Sequence, residues 1–348
     1  MNMTDIKSMN IEELSSLMTQ LGDKPFRAKQ VYSWLHEHLV TSYDEMTNLP
    51  KALREKLSAY PITALQVADV QVSKLDGTRK YLFCLSDGNV IESVLMRYKH
   101  GNSVCISSQV GCRMGCRFCA STIGGLTRNL MASEMLDQIY RIQDITGERV
   151  SNVVVMGTGE PLDNYDNLLR FIHILSAEGG LHISQRNITV STCGLVPQIH
   201  ELAKEKLQIT LALSLHAPND AKRQELMPIA RRYSMDEVLD ACRDYFDKTG
   251  RRITFEYSLV AGVNDSDEDA AELCGRIRGM NCHVNLIPVN PIKERSFVRS
   301  TREAVENFKI KLEKCGINGT IRREMGSDID GACGQLRKSY MQKTESEK

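Results

Sequence analysis

Cys105-Ile-Ser-Ser-Gln-Val-Gly-Cys112-Arg-Met-Gly-Cys116-Arg-Phe-Cys119 marks the point where the chain changes character. Before it lie short helix-like segments and a β-meander. From about residue 102 onward, strand-like and helix-like segments alternate. The stretch opens with a strand over 104–107 and runs into a loop whose three cysteines are spaced C-x3-C-x2-C. Soft thiolates this close select zinc, copper(I) or an iron–sulfur cluster. A structural zinc site ordinarily takes four protein ligands in closely spaced pairs. A [4Fe–4S] cluster held by three cysteines keeps one iron open for a small molecule. Cys112, Cys116 and Cys119 are therefore candidate ligands of one such cluster per chain.

Downstream, strands fit 104–107, 152–156, 187–191, 209–214, 253–259, 283–288 and 319–322. Helices fit 132–145, 164–177, 197–205, 235–247, 266–278 and 301–314. Ser300 and Glu303 have capping-box spacing ahead of the last helix, and Val305, Phe308 and Leu312 form its apolar face. Such alternation predicts an α/β fold, with a parallel sheet and right-handed crossovers, closed as a full or partial barrel. Chemistry then sits at the C-terminal strand ends. Those ends carry Gly157-Thr158-Gly159-Glu160-Pro161-Leu162, Ser191-Thr192-Cys193-Gly194, Ser214-Leu215-His216-Ala217-Pro218 and Asn290-Pro291. Glycines there permit close backbone approach to a ligand, and a glutamate accepts hydrogen bonds from an ammonium. A lone His216 is ordinarily structural; three polar strand ends in register favour ligand contact.

Upstream, helices fit 11–20 and 27–40, and a third follows Asn48-Leu49-Pro50. Val31, Trp34, Leu35 and His38 recur at helical spacing. The turn over 22–30, with Lys24, Phe26, Arg27 and Lys29, has two readings. Either it grips a phosphate backbone, or it is a solvated turn with Phe26 in the core. Strands fit 65–73, 79–85 and 89–97, with Asp76-Gly77 and Asp87-Gly88 at the turns. The division expected is a helical module over 1–62, an antiparallel meander over 63–98, a barrel over 99–340 and a flexible polar tail over 341–348.

The 348 residues are 42% hydrophobic and carry no formal net charge, so there is no global basic field; local patches can still meet phosphates. No secretory signal and no apolar stretch of membrane-spanning length is seen, which predicts a soluble, cytoplasmic protein away from membranes. Eleven cysteines in that setting suggest metal or redox chemistry for a few rather than a disulfide framework. Cys84, Cys242, Cys274, Cys282 and Cys315 read as small buried hydrophobes or incidental thiols. Cys105 and Cys333 stand apart. Cys333 lies in Asp328-Ile-Asp-Gly-Ala-Cys333-Gly-Gln-Leu336, and its small neighbours suit an accessible nucleophile.

C-x3-C-x-aromatic-C, with Phe118 as the aromatic, resembles the signature of radical S-adenosylmethionine (radical SAM) enzymes. The run 105–122, Gly-Glu-Pro-Leu, Ser-Leu-His-Ala-Pro, Val-Asn-Leu-Ile-Pro-Val-Asn-Pro and Asp-Ile-Asp-Gly-Ala-Cys-Gly-Gln-Leu resemble, in the same order, the RlmN/Cfr family of radical SAM RNA methyltransferases. The resemblance spans about 11–340. It implies a partial (β/α)6 barrel joined to an N-terminal RNA-binding helical module. It implies a [4Fe–4S] cluster on Cys112, Cys116 and Cys119. SAM would be held by Gly159, Glu160, Ser191, Ser214, Leu215, His216 and Asn290.

The implied chemistry consumes two SAM per turnover. Cys333 takes a methyl group from the first, giving S-methylcysteine. A radical made from the second activates that methyl group, which adds to adenine. Glu92 would be the proton acceptor, although a glutamate alternating out of a strand is by itself most often solvated. Cys105 would release the product through a transient disulfide with Cys333. The substrates implied are 23S rRNA at C2 of adenosine 2503 and adenosine 37 of some tRNAs, with reduced flavodoxin or ferredoxin as electron donor and a monomeric protein. Cfr-type C8 methylation is the alternative. Gly-Glu-Pro-Leu, Ser-Thr-Cys-Gly and Ser-Leu-His-Ala-Pro favour the C2 branch, since Cfr-like chains tend to carry Gly-Glu-Ala-Leu, Ser-Thr-Ile-Gly and Ser-Leu-His-Ser-Pro. Two further readings are an RNA-binding protein with a structural zinc and a radical SAM enzyme of small molecules; the second leaves Cys333 and the helical module unexplained. Arg113, Arg117, Arg128, Arg322 and Arg323 flank the expected active face and are candidate phosphate contacts.

Overall fold

The computed structural model describes residues 4–290 and 295–329. Cys333, Pro291 and the 341–348 tail lie outside the described residues.

Three helices come first: α1 (Ile11–Gln20), α2 (Arg27–His36) and α3 (Lys51–Leu57). Asn10 opens α1 with a capping box through Glu13. The second helix is shorter than 27–40: it ends at His36, and Leu39 is left-handed with φ 59°. Its inner stripe is Ala28, Val31, Tyr32, Leu35 and His36, so the buried histidine is His36, while Trp34 is half-buried and His38 exposed. Phe26 is 55% exposed, with the Arg27 guanidinium 5.4 Å from its ring centroid; the reading that put Phe26 in the core is overturned.

The strands and remaining helices are β1 (Gln66–Val72), β2 (Arg79–Cys84), β3 (Val90–Tyr98), β4 (Gly101–Ile106), β5 (Gln109–Gly111), β6 (Leu126–Asn129), α4 (Ala132–Thr146), β7 (Val150–Val155), α5 (Tyr165–Ser176), β8 (Ile188–Thr192), α6 (Val196–Lys204), β9 (Thr210–Ser214), α7 (Asp220–Leu226), α8 (Met235–Thr249), β10 (Ile253–Leu259), α9 (Asp267–Ile277), β11 (Cys282–Pro288), α10 (Arg302–Lys314) and β12 (Asn318–Ile321). Ten strands form one sheet in the order β1-β2-β3-β4-β7-β8-β9-β10-β11-β12. The pairs from β1 to β4 are antiparallel, and every pair from β4 onward is parallel. Six strand–helix units run from β4 to α10, and β12 adds a seventh parallel strand: a partial barrel preceded by a meander. The meander is not a separate layer, because β3 pairs with β4 and sets Val94 opposite Cys105. Side chains alternate between faces, so Glu92 shares a face with Cys105.

Two local expectations change. Helix α10 is capped by Thr301, whose side chain accepts from the Ala304 N–H; Ser300 is buried and donates instead to Asp265 at 2.6 Å. A short hairpin, β5–β6, and the helix α7 were not expected.

The helical module is joined to the barrel by buried charge. Lys7 Nζ donates to Asp137 on α4 at 2.6 Å and to the Thr63 carbonyl at 2.7 Å. The second Asp137 oxygen accepts from the Leu65 N–H at 2.7 Å. His36 Nδ1 meets the Tyr140 hydroxyl at 2.8 Å one turn along α4. Among the described residues, no helix is long and apolar enough to cross a membrane.

Candidate active site

The hairpin β5–β6 presents the cysteine loop. The Cys112 N–H donates to the Gly125 carbonyl at 2.9 Å, and the Thr122 hydroxyl bonds the Cys116 and Cys119 carbonyls at 3.2 and 2.9 Å. Cys112 and Cys116 are buried and Cys119 is half-buried. Burial pushes all three thiols up, Cys112 to about 12. Deprotonating them together calls for a strongly cationic centre. Among the described residues, no three His, Cys, Asp or Glu side chains gather tightly enough for a single metal ion. A cluster several ångströms across spreads its ligands, and the all-sulfur donor set suits iron–sulfur rather than a lone hard cation. The residues present fit such a cluster.

All three cysteines line one cavity of about 490 Å³ at the C-terminal ends of the barrel strands. Glu92, Cys105, Gly159, Glu160, Ser191, Ser214, His216 and Asn290 line it too. Leu215 does not: its side chain is in the core, its N–H donates to the Glu256 carbonyl and its carbonyl accepts from Arg223.

The glycines after β7 serve the protein's own backbone. A Cβ on Gly157 would lie 2.6 Å from the Ile106 carbonyl oxygen, and one on Gly159 would lie 2.7 Å from Ser108 and Gln109 side-chain atoms. Gly159 also has φ 116°. The turn thus presses onto the end of β4, with the Gly157 N–H on the Ile106 carbonyl at 2.9 Å. Close approach to a ligand was expected; close approach to a neighbouring strand end is what packing demands here. It brings Glu160 to the cavity wall, where its carboxylate accepts from the Cys193 N–H at 2.7 Å and the Leu162 N–H at 3.1 Å. Burial pushes its pKa up, opposed by those hydrogen bonds.

His216 sits at φ 58° just past β9. Its Nδ1 accepts from the Ser258 N–H at 2.9 Å, which leaves the proton on Nε2. Burial and then the Arg223 charge pull its pKa down to about 3, so the ring is neutral. Phe118, the aromatic of the cysteine loop, packs edge-on against it at 4.7 Å. Ser191 and Ser214 hydroxyls face each other at 3.5 Å.

On the opposite wall Glu92 is buried, not solvated, with Lys80 Nζ 3.2 Å from its carboxylate. Cys105 is half-buried; burial raises its thiol pKa, and the Arg322 and Lys80 charges act in the other direction. Glu256 and Arg299 also line the cavity, and the sequence reading had singled out neither. The signal for Glu256 was a carboxylate between Phe255 and Tyr257, in the middle of strand 253–259. Arg322 and Arg323 reach the cavity. Arg128 is committed to Asp87 and Glu134 at 2.5 and 2.7 Å, and Arg113 to Asp163, so both are engaged within the chain. Arg117 is exposed on the cysteine loop.

Sequence comparison agrees with this geometry. A sequence model of the radical SAM superfamily matches residues 106–274, and one of the ribosomal RNA large subunit methyltransferase N-terminal domain matches 3–62. A protein of Lachnospira eligens described as a "probable dual-specificity RNA methyltransferase RlmN" is 67% identical over 341 residues, covering 98% of this chain and 97% of that protein. One so described from Clostridium botulinum is 56% identical over 345 residues, covering 99% of each. The crystal structure of a radical SAM methyltransferase from Sphaerobacter thermophilus superposes with a TM-score of 0.91 at 46% identity, covering 95% of this chain and 98% of that one. The chain belongs to the RlmN family of radical SAM RNA methyltransferases.

Proposed function

We propose that this RNA methyltransferase methylates C2 of adenosine 2503 in 23S rRNA and adenosine 37 in some tRNAs, by way of an S-methyl group on Cys333. One observation carries the reading: Glu92, Cys105 and the three thiols of the cysteine loop line a single cavity. A proton acceptor, a resolving thiol and a cluster site are thus within reach of one substrate.

Cys112, Cys116 and Cys119 would hold the [4Fe–4S] cluster, and Glu160, Ser191, Ser214, His216 and Asn290 would surround SAM. Bound together, cluster and SAM would supply one-electron radical chemistry able to take hydrogen from a methyl group. The protein's own residues do the rest. Glu160 offers a buried acceptor to an ammonium. Neutral His216, protonated on Nε2, offers a donor. Cys333 accepts the methyl group on sulfur and holds it where the radical acts. Glu92, held by Lys80, takes the C2 proton of the adenine. Once the adduct radical has given up one electron, which the bound cluster would accept, Cys105 attacks the Cys333 sulfur as a thiolate; an S–S bond forms, the C–S bond to the base breaks, the methylene carbon keeps the electron pair and takes up a proton to become the methyl group, and the RNA leaves. Arg322 and Arg323 at the mouth suit RNA phosphates. The roles of Leu215 as a SAM contact, of a reduced flavodoxin or ferredoxin as donor, of a monomer and of a cytoplasmic location belong to the same reading. So does the division of the chain at about 62 and 98.

The test is nucleoside mass spectrometry on protein-free 23S rRNA from a strain lacking the modification, treated anaerobically with reconstituted enzyme, SAM and reductant. 2-Methyladenosine is the expected product. 8-Methyladenosine would overturn the regiochemistry. Absence of any methylated adenosine, with SAM cleaved, would overturn the RNA target.

A further inference from the structure

Beneath the cavity lies a buried cation that the reaction scheme does not use. Arg223, on α7, is fully buried. Its Nη2 donates to the Cys193 carbonyl at 2.7 Å and lies 3.5 Å from the Ser214 carbonyl; its Nε donates to the Leu215 carbonyl at 3.3 Å. Its Nη1 has no hydrogen-bond partner. Among the described residues, all of its bonded partners are neutral carbonyls, at the ends of β8 and β9. Asp220, one turn earlier, adds its charge at a distance but forms no ion pair with Arg223; its carboxylate accepts from the Met235 N–H at 2.7 Å. A buried guanidinium without an anion is costly, since charge taken out of water must be matched.

The helix that carries Arg223 is docked on the cysteine loop: the Arg117 N–H, next to Cys116, donates to the Leu226 carbonyl at 2.9 Å. Cys193 and Cys116 are the sulfurs whose negative charge would act most on Arg223. Iron binding converts the loop cysteines to thiolates, and each electron added to a thiolate-ligated cluster adds one more negative charge.

We propose that Arg223 is the built-in counter-charge of the iron–sulfur centre: a cation with no carboxylate bonded to it among the described residues, balanced when the thiolate-held cluster is present, and favouring its one-electron reduced form. This rests on the cluster assignment above. Reduction takes one electron from an external low-potential donor, dithionite in the test, and moves no proton. Arg223 touches no substrate; it acts by its charge.

The experiment begins with the reconstituted full chain, its iron and sulfide content and its methylation product. A wild-type chain that takes up no cluster overturns the cluster assignment and this inference together. With wild type loaded, Arg223→Gln and Arg223→Lys are titrated with dithionite and the reduced cluster is followed by electron paramagnetic resonance. At the potential where wild type is half reduced, the reduced-to-oxidised ratio should fall about tenfold in Arg223→Gln, which corresponds to 1.4 kcal/mol. Arg223→Lys should recover most of it. An unchanged ratio in Arg223→Gln overturns the inference while leaving the methylation reading intact. Should Arg223→Gln fail to retain cluster, melting decides. Apo Arg223→Gln is expected to melt no lower than apo wild type. A residue that merely bridges carbonyls would lower the apo melting temperature when removed, and that result would overturn the proposal.

Discussion

Lys7 and Arg223 are both fully buried cations, and the chain treats them in opposite ways. Lys7, at the joint between the helical module and α4, has its carboxylate: Asp137 lies 2.6 Å away and its other oxygen is bonded as well. Arg223, under the cavity, meets carbonyls alone. Each has a buried histidine beside it with its pKa pulled down to about 3, His36 and His216. The joint is complete in the polypeptide and serves to fix one part on another. At Arg223 no carboxylate is bonded among the described residues, and on the proposal above the anionic cofactor supplies the missing charge. Lys80 with Glu92 is the intermediate case: a buried pair like the first, but with Glu92 on the cavity wall.

That intermediate pair gives the largest expected effect. Glu92→Gln should slow RNA methylation by about 10²- to 10⁴-fold, the usual contribution of a positioned proton acceptor. Intact-protein mass spectrometry should still find Cys333 methylated, because that first transfer needs no base at the adenine. Loss of both reactions would mean that the pair is structural, as at Lys7.

Breaking the complete pair should act on stability instead. Lys7→Met strands Asp137 in the interior and should cost about 3–5 kcal/mol. Adding Asp137→Leu should restore much of that, since removing both charges is far less harmful than removing one. Melting of the apo chain measures both. A single substitution that is harmless would show the joint to be held by packing alone.

The histidine at the joint sets a smaller, pH-dependent term. His36 is neutral when folded, with a pKa near 3, by burial first and the Lys7 charge second, against an ordinary value of 6.5. The unfolded chain therefore binds the extra proton as pH falls below 6.5. Stability is fully present above that value and is lost toward pH 3, by about 1.4 kcal/mol per pH unit for this group. His36→Gln should flatten the slope between pH 6 and 4, read as melting temperature against pH, whatever it does to stability at neutral pH.

Legibility from the sequence followed the same division. The parallel run was readable because each strand is a short apolar stretch followed by a polar strand end and a helix. The cysteine loop was readable because its chemistry is local. What escaped depends on long-range pairing. That Glu92 is buried follows from β3 pairing with β4, which joins meander and barrel into one sheet; strand alternation alone cannot show it. Leu215 was expected at the ligand and lies in the core, because a motif names positions but not which face they present. Gly157 and Gly159 were read as permitting close approach to a ligand; what they press against within the chain is Ile106–Gln109. Arg223 carried no sequence signal, since an arginine on a short helix reads as surface until its surroundings are known.

The smallest effect belongs to the module's outer face. Phe26 stands 55% exposed beside Arg27, outside the joint that Lys7 organises. Truncation there removes little buried area, so Phe26→Ala should change stability by no more than about 0.5 kcal/mol. Tyr32, on the inner side of the same α2, accepts no such change: it is buried and its hydroxyl reaches the Ile174 carbonyl at 3.3 Å on the barrel side. Tyr32→Ala should cost about 3 kcal/mol or more, as loss of a buried aromatic does. Melting both variants side by side measures how far the helix is committed to the joint. Equal losses would mean that the ring of Phe26 packs inward in solution, and that the turn beneath it is part of the joint rather than a face open to RNA.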